Sequence, residues 1–244
     1  MLFPKQTYVE RRRVLAERIG SGLILLFGNN NSPANYPGNA YKWRQDSTFL
    51  YYFGLQREGL CGVIDCDEAR VWLIGADIDI DDIVWFGSVA GVAGMAGECG
   101  ADCCAPMSKL EKLAKEAIAG GRRVHFLPQY RHDLMIQLMD LTGIHPARQR
   151  EMASLELIHA VCDQRACKSA EEIAEIERAC EIGYKMHTTA MALTRPGLTE
   201  KYIGGQIDGI AGSYGAKVSF ATIFTQHGEI MHGCPSTAVL ESGR

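Results

Sequence analysis

Trp43-Arg44-Gln45-Asp46-Ser47-Thr48-Phe49-Leu50-Tyr51-Tyr52-Phe53-Gly54-Leu55 is the stretch on which the reading of this chain turns. Its apolar end, Phe49 to Phe53, is a short aromatic run closed by Gly54 and reads as a buried strand. Upstream, Thr7 to Ile19 reads as a helix capped by Thr7, with Val9, Val14 and Leu15 on its apolar face and Gly20-Ser21-Gly22 ending it. Arg11-Arg12-Arg13 spread over most of that helix's circumference and predict a solvated face. Leu23 to Phe27 is a continuous apolar run bounded by Gly28, hence a buried strand, and Asn29 to Gly38, with Pro33 and Pro37, reads as an irregular loop. Downstream, Cys61–Asp65 and Arg70–Ile74 read as a hairpin around Asp67-Glu68-Ala69. Residues 107–119 carry Leu110, Leu113, Ala114 and Ala117 at helical spacing, and Val124 to Leu127 is a further strand ended by Pro128.

The alternation of strands and helices up to about residue 155 predicts a mixed α/β domain. Leu155 to Ala166 carries the chain across to a second one. There Ser169 and Glu172 have the spacing of a capping box, which starts a helix running to about Leu193. Its side bearing Ile173, Ile176, Ala179, Cys180, Gly183, Met186 and His187 is apolar. Arg195-Pro196-Gly197 breaks it, Thr199 caps a helix from Glu200 to about Tyr214, and Val218 to Ile223 reads as a strand.

Composition excludes several classes. The chain is 47% hydrophobic and 22% charged, and 25 Lys and Arg against 29 Asp and Glu give a net charge of −4. No basic field invites nucleic acid, and no segment approaches the ~20 apolar residues of a membrane span. Nine cysteines, an odd number without a signal peptide ahead of them, predict free thiols in a reducing cytoplasm. Cys99, Cys103 and Cys104 lack the paired spacing of a zinc site. Asp77 to Asp82 starts like an EF-hand, but Asp82 stands where Gly is needed and Ser88 where the bidentate Glu belongs, so a solvated helix start or loop is the better reading.

The Trp43–Leu55 stretch is very similar to the motif of the creatinase/aminopeptidase P N-terminal domain, and Arg11-Arg12-Arg13-Val14-Leu15 resembles the helix that opens it. Further on, Lys168-Ser169-Ala170-Glu171-Glu172-Ile173, Arg195-Pro196-Gly197-Leu198-Thr199-Glu200, Val218 to Ile223 and Met231-His232-Gly233 fall in the order of the "pita-bread" peptidase domain of Xaa-Pro aminopeptidases and prolidases. The resemblance implies an α/β fold in two parts: residues 1–160 as the N-terminal domain, a mixed sheet flanked by helices, and residues 165–244 as an incomplete pita-bread α+β domain.

It also implies chemistry. The family hydrolyses the bond before proline with two divalent cations, Mn²⁺ or alternatively Co²⁺ or Zn²⁺, that activate a water. Their ligands are expected past Arg244, where Glu241-Ser242-Gly243-Arg244 resembles the approach to the first. The resemblance therefore predicts no metal ligands in this chain and no activity by it alone. His232 takes the place of a family histidine that helps to hold substrate and the developing oxyanion, a role that needs a hydrogen-bond donor at neutral pH. Trp43, or the Asn29–Gly38 loop, is the candidate to reach substrate at a neighbouring subunit. His227 reads as a loop histidine and His187 as a satisfied core histidine, while His125, His132, His145 and His159 lack ligand spacing. Expected partners are proline-containing peptides and a second copy of the chain, as a homodimer or higher homo-oligomer through the N-terminal domain or the 218–224 strand. A peptide- or protein-binding module without catalysis, and a metal-free creatinase-type amidinohydrolase, are the alternatives on the same scaffold.

Overall fold

A computed structural model describes residues 1–243, in two compact units: the first from Met1 to Cys167, the second from Lys168 onward. In the first unit α1 (Lys5–Ile19) is entered at Pro4, whose fixed φ of −57° suits the turn before a helix. It therefore starts upstream of the expected cap, and Thr7 lies inside its first turn, donating to the Pro4 carbonyl at 3.0 Å. The strand β1 (Leu23–Phe27) follows as expected, buried at every position. The Asn29–Gly38 segment is not wholly irregular, because β2 (Pro33–Tyr36) and β3 (Asn39–Ala40) form a small exposed hairpin.

The largest correction falls on the opening motif. Ser47–Phe53 is a helix, α2, and not a strand. The Asp46 carboxylate accepts from the Thr48 and Phe49 amides at 2.8 and 2.9 Å, satisfying two of the donors that a helix start leaves free. Gly54 closes the helix in the left-handed region, φ 68°. Phe49, Tyr52 and Phe53 are buried at helical spacing, and an aromatic run this short has no period by which to choose helix or strand.

The strands β4 (Cys61–Asp65) and β5 (Arg70–Ile74) form the expected hairpin. Then come α3 (Ile80–Phe86), α4 (Val92–Cys99), β6 (Cys103–Ala105), α5 (Met107–Ala119), β7 (Val124–Phe126), α6 (His132–Thr142), α7 (Pro146–Met152) and α8 (Leu155–Ala166). Asp79 and Asp82 form a capping box at the start of α3, so the acidic run is a solvated helix start. The sheet order is β6-β5-β4-β1-β7, with β4 antiparallel to both β1 and β5, and the edge strands β6 and β7 parallel to their neighbours.

Both faces of the sheet are covered, which explains the unbroken apolar run of β1. Ile24, Leu26, Ile64 and Leu73 pack on one side with Leu15 of α1, Phe49 and Phe53 of α2, Met95 and Cys99 of α4, and Leu157 and Val161 of α8. Leu23, Leu25, Phe27, Val63 and Ile74 pack on the other with Leu110 and Ala114 of α5 and Leu134 and Leu138 of α6. Residues 155–166 are thus a helix of this core rather than a crossing.

The three arginines of α1 are not a solvated face. Arg12 is 1% exposed; its guanidinium donates to the Tyr52, Cys99 and Gly100 carbonyls at 2.6, 2.7 and 2.7 Å and lies over the Phe53 ring. Arg11 lies over the Tyr51 ring at 3.9 Å and donates to the Tyr51 carbonyl. Only Arg13 faces water, paired with Glu10 and Glu17.

The second unit holds α9 (Ala170–Leu193) and α10 (Glu200–Ser213), started as expected by the Ser169/Glu172 capping box and by Thr199. Ile203, Ile207 and Leu240 form its small core, with Met186, Ala190, Leu193, Leu198 and Phe224 against them. No residue of α9 is fully buried, and His187 is exposed rather than a core histidine. Residues 218–223 form no strand: Val218, Phe220 and Ile223 are exposed, and the chain bends at Ser219 and Phe220 with no neighbouring strand among the described residues to pair with.

Candidate functional site

In the first unit the motif residues divide between scaffold and surface. Gln45 is fully buried; its Oε1 accepts from the Asn29 and Asp46 amides at 2.7 and 2.9 Å, and its Nε2 donates to the Arg57 carbonyl at 2.8 Å. Asp46 caps α2 and accepts from the Tyr130 hydroxyl at 3.1 Å. Trp43 is half-buried, its indole N–H donating to the Asn29 carbonyl at 3.2 Å. It rims a groove of about 770 Å³ whose walls also include Leu55, Glu58, Asp77, Phe86 and Met95. Burial pushes the Glu58 carboxyl above its ordinary range. The groove offers apolar walls with carboxylates and the Arg57 guanidinium among them.

In the second unit His232 sits on the segment that follows α10. Glu200, the first residue of α10, is 1% exposed. Its carboxylate accepts four hydrogen bonds: from the Thr225 hydroxyl at 3.0 Å, the Gln226 amide at 2.7 Å, and the Ser236 amide and hydroxyl at 3.1 and 2.7 Å. These donors, the Ser236 hydroxyl first, hold its pKa at about 2, so it is an anion at any ordinary pH. Both ends of residues 225–236 are thus tied to one carboxylate. The Phe224 amide donates to the Gly233 carbonyl at 3.2 Å, and a Cβ on Gly233 would meet the Thr225 Cγ2 at 2.5 Å. Further on, the Leu240 amide donates to the Leu198 carbonyl at 2.8 Å, and Thr199 bridges Val239.

His232 stands exposed between these fixed ends. His227, exposed on the same segment, is paired with Glu229 at 2.9 Å and is a loop histidine as expected. His125, in the first unit, is buried: Nε2 is 3.0 Å from the Ser21 carbonyl and Nδ1 3.1 Å from the Ser154 hydroxyl. Among the described residues no group of three or more His, Cys, Asp or Glu could hold a metal ion, and no helix is long and apolar enough to cross a membrane. The sequence reading missed Glu200. Its only trace there is an acidic residue directly after a capping threonine, which also occurs wherever a carboxylate faces a helix start.

The family model described as "Aminopeptidase P, N-terminal domain" matches residues 8–125. The Xaa-Pro aminopeptidase of Escherichia coli (strain K12) is 27% identical over 98% of this chain, which spans 57% of that protein's length. A mitochondrial intermediate cleaving peptidase 55 of Arabidopsis thaliana is 28% identical over 49% of the chain, covering 24% of that protein. Among solved structures, aminopeptidase PepP of Pseudomonas aeruginosa superposes with a TM-score of 0.72 at 26% identity, over 88% of this chain and 50% of that one. The low-pH form of aminopeptidase P from E. coli superposes with a TM-score of 0.81 at 24% identity, over 99% of this chain and 57% of that one.

Proposed function

We propose that this chain, whose residues 8–125 form an aminopeptidase P N-terminal domain, is the substrate-holding part of a Xaa-Pro aminopeptidase-like metallopeptidase that hydrolyses the bond before proline. The observation that supports it most directly is the His232 segment. An exposed imidazole, able to donate a hydrogen bond, stands on a segment tied at both ends, as a donor to a developing oxyanion must be. Likeness to the E. coli Xaa-Pro aminopeptidase over 98% of the chain supports the second unit as the opening of a pita-bread peptidase domain. Trp43, at the rim of its groove, is assigned to reach substrate at a neighbouring subunit. The metal pair of this reading, Mn²⁺ or alternatively Co²⁺ or Zn²⁺, does not find its ligands among the described residues. The role assigned to these residues is therefore confined to the peptide and the oxyanion. Nine free thiols fit a reducing, cytoplasmic compartment.

The test is kinetic. The purified 244-residue protein should leave a Xaa-Pro peptide uncleaved with or without added Mn²⁺. Cleavage abolished by a chelator would show that the chain holds metal ligands after all. In the full-length enzyme, His232→Ala should lower kcat about 100-fold, the order expected for removing an oxyanion donor; an unchanged kcat would remove His232 from the reaction. Turnover of creatine would favour the amidinohydrolase, and peptide binding by a full-length chain that never cleaves would favour a binding module.

A further inference from the structure

We infer that Glu200 is a positioning residue for His232: one buried carboxylate clamps both ends of the segment that presents the imidazole, and so fixes where that donor points. The inference rests on the role proposed for His232 and adds the device that sets it.

Four hydrogen bonds end on the Glu200 carboxylate, two on each oxygen. Oε1 of Glu200 accepts from the Thr225 hydroxyl and the Gln226 amide, and Oε2 from the Ser236 amide and hydroxyl. A carboxylate is acceptor-only, and all four partners are donors, so the match is one that a neutral amide cannot reproduce. Each hydroxyl is used a second time, Thr225 Oγ1 accepting from the His227 amide at 3.1 Å and Ser236 Oγ from the Ala238 amide at 3.0 Å. The clamp thus reaches into the segment at its Thr225 end and beyond it at its Ser236 end. Glu200 is the first residue of α10, and two backbone bonds tie that helix start to the far end of the segment: the Glu200 amide donates to the Ala238 carbonyl at 3.1 Å, and the Lys201 amide to the Ser236 carbonyl at 2.8 Å. A histidine in the middle of an otherwise irregular segment has no helix or strand of its own to fix it. Here the ends of its segment are set by a residue of a helix.

Two variants grade the effect. In Glu200→Gln one oxygen remains an acceptor, but the amide nitrogen faces an N–H donor, so one end is released. In Glu200→Ala both are released. Amide hydrogen exchange on the 244-residue protein should show Gln226 and Ser236 protected in the parent. One of them should exchange at least about 10-fold faster in the Gln variant and both in the Ala variant, while Ile203 and Ile207 in the core of the unit keep their protection. Should Glu200→Ala fail to fold, Thr225→Ala and Ser236→Ala each loosen one end without leaving the carboxylate unpaired. Unprotected Gln226 and Ser236 amides in the parent, or exchange that no variant alters, would overturn the clamp.

The kinetic arm separates positioning from mere support. In the full-length enzyme Glu200→Gln should lower kcat with little change in KM, and should lower it no further when His232 is already Ala. A full additional loss in the His232→Ala background would overturn the positioning role and leave Glu200 a structural residue. If His232→Ala alone changes nothing, the role of His232 fails and positioning for catalysis with it, while the exchange data still decide whether the clamp exists.

Discussion

Arg12 and Arg13 are neighbours in sequence and opposites in consequence. Arg12 holds three carbonyls of other elements from inside the core, and removing it leaves them unpaired and opens a cavity. Arg12→Ala should cost about 3 kcal/mol or more, the range for breaking a buried, charged hydrogen-bonding group, whereas Arg13→Ala should stay within about 0.5 kcal/mol. Urea midpoints at a common slope report both. His125 makes a second residue-level prediction. Burial holds its pKa below the ordinary histidine value, so the folded state keeps it neutral. Below the unfolded pKa of about 6.5 the unfolded chain takes up a proton that the folded one refuses. The stability His125 contributes is therefore complete above about pH 6.5 and is lost as pH falls toward the lower folded value. The unfolding midpoint should fall between about pH 6.5 and 5, and less so in His125→Gln; equal slopes in the two proteins would refute this.

At the level of elements, α2 depends on its cap. Asp46→Ala removes the acceptor of two helix-start amides and of the Tyr130 hydroxyl, so it should destabilise the first unit by about 1–2 kcal/mol, read as a lower Tm, with Asp46→Asn recovering part of the loss. The same element shows what the sequence could disclose. β1 and the β4–β5 hairpin were legible because each is a run of apolar residues between turn formers, and a five-residue strand covered on both faces needs no finer pattern. The capping box of α9 was legible because its partners lie three residues apart. α2 was not, since the choice between helix and strand lay with Asp46 and with the core that receives Phe49 and Phe53. Arg12 and Glu200 were hidden for one reason: their partners are distant in sequence, the Cys99 and Gly100 carbonyls for one, Thr225 and Ser236 for the other. The expected 218–223 strand had the right residue types, but strand propensity counts only beside a neighbour to pair with.

For the molecule as a whole, association is the open property with the clearest surface. Ile80, Val84 and Trp85 of α3 are between 75% and 80% exposed. Burying such side chains contributes about 1.5–3 kcal/mol each, so a second copy of the chain on this face is the expected partner. Sedimentation at micromolar concentration should give a species heavier than the 26.8 kDa monomer, and Trp85→Asp should shift it toward that mass; a parent that sediments as a monomer would refute this. The connectivity of the first unit carries a different consequence, one of timing. β1 lies at the start of the chain, yet its parallel neighbour β7 is made about a hundred residues later, some 5–20 s at ordinary rates of synthesis. The Arg12 guanidinium waits almost as long for the Cys99 and Gly100 carbonyls. On the ribosome the earliest native pairing open to β1 is the antiparallel one with β4. The emerging chain therefore carries one uncovered strand edge and one core guanidinium still lacking two of its carbonyl acceptors, and a chaperone that binds nascent chains would meet both before residue 126 has left the exit tunnel.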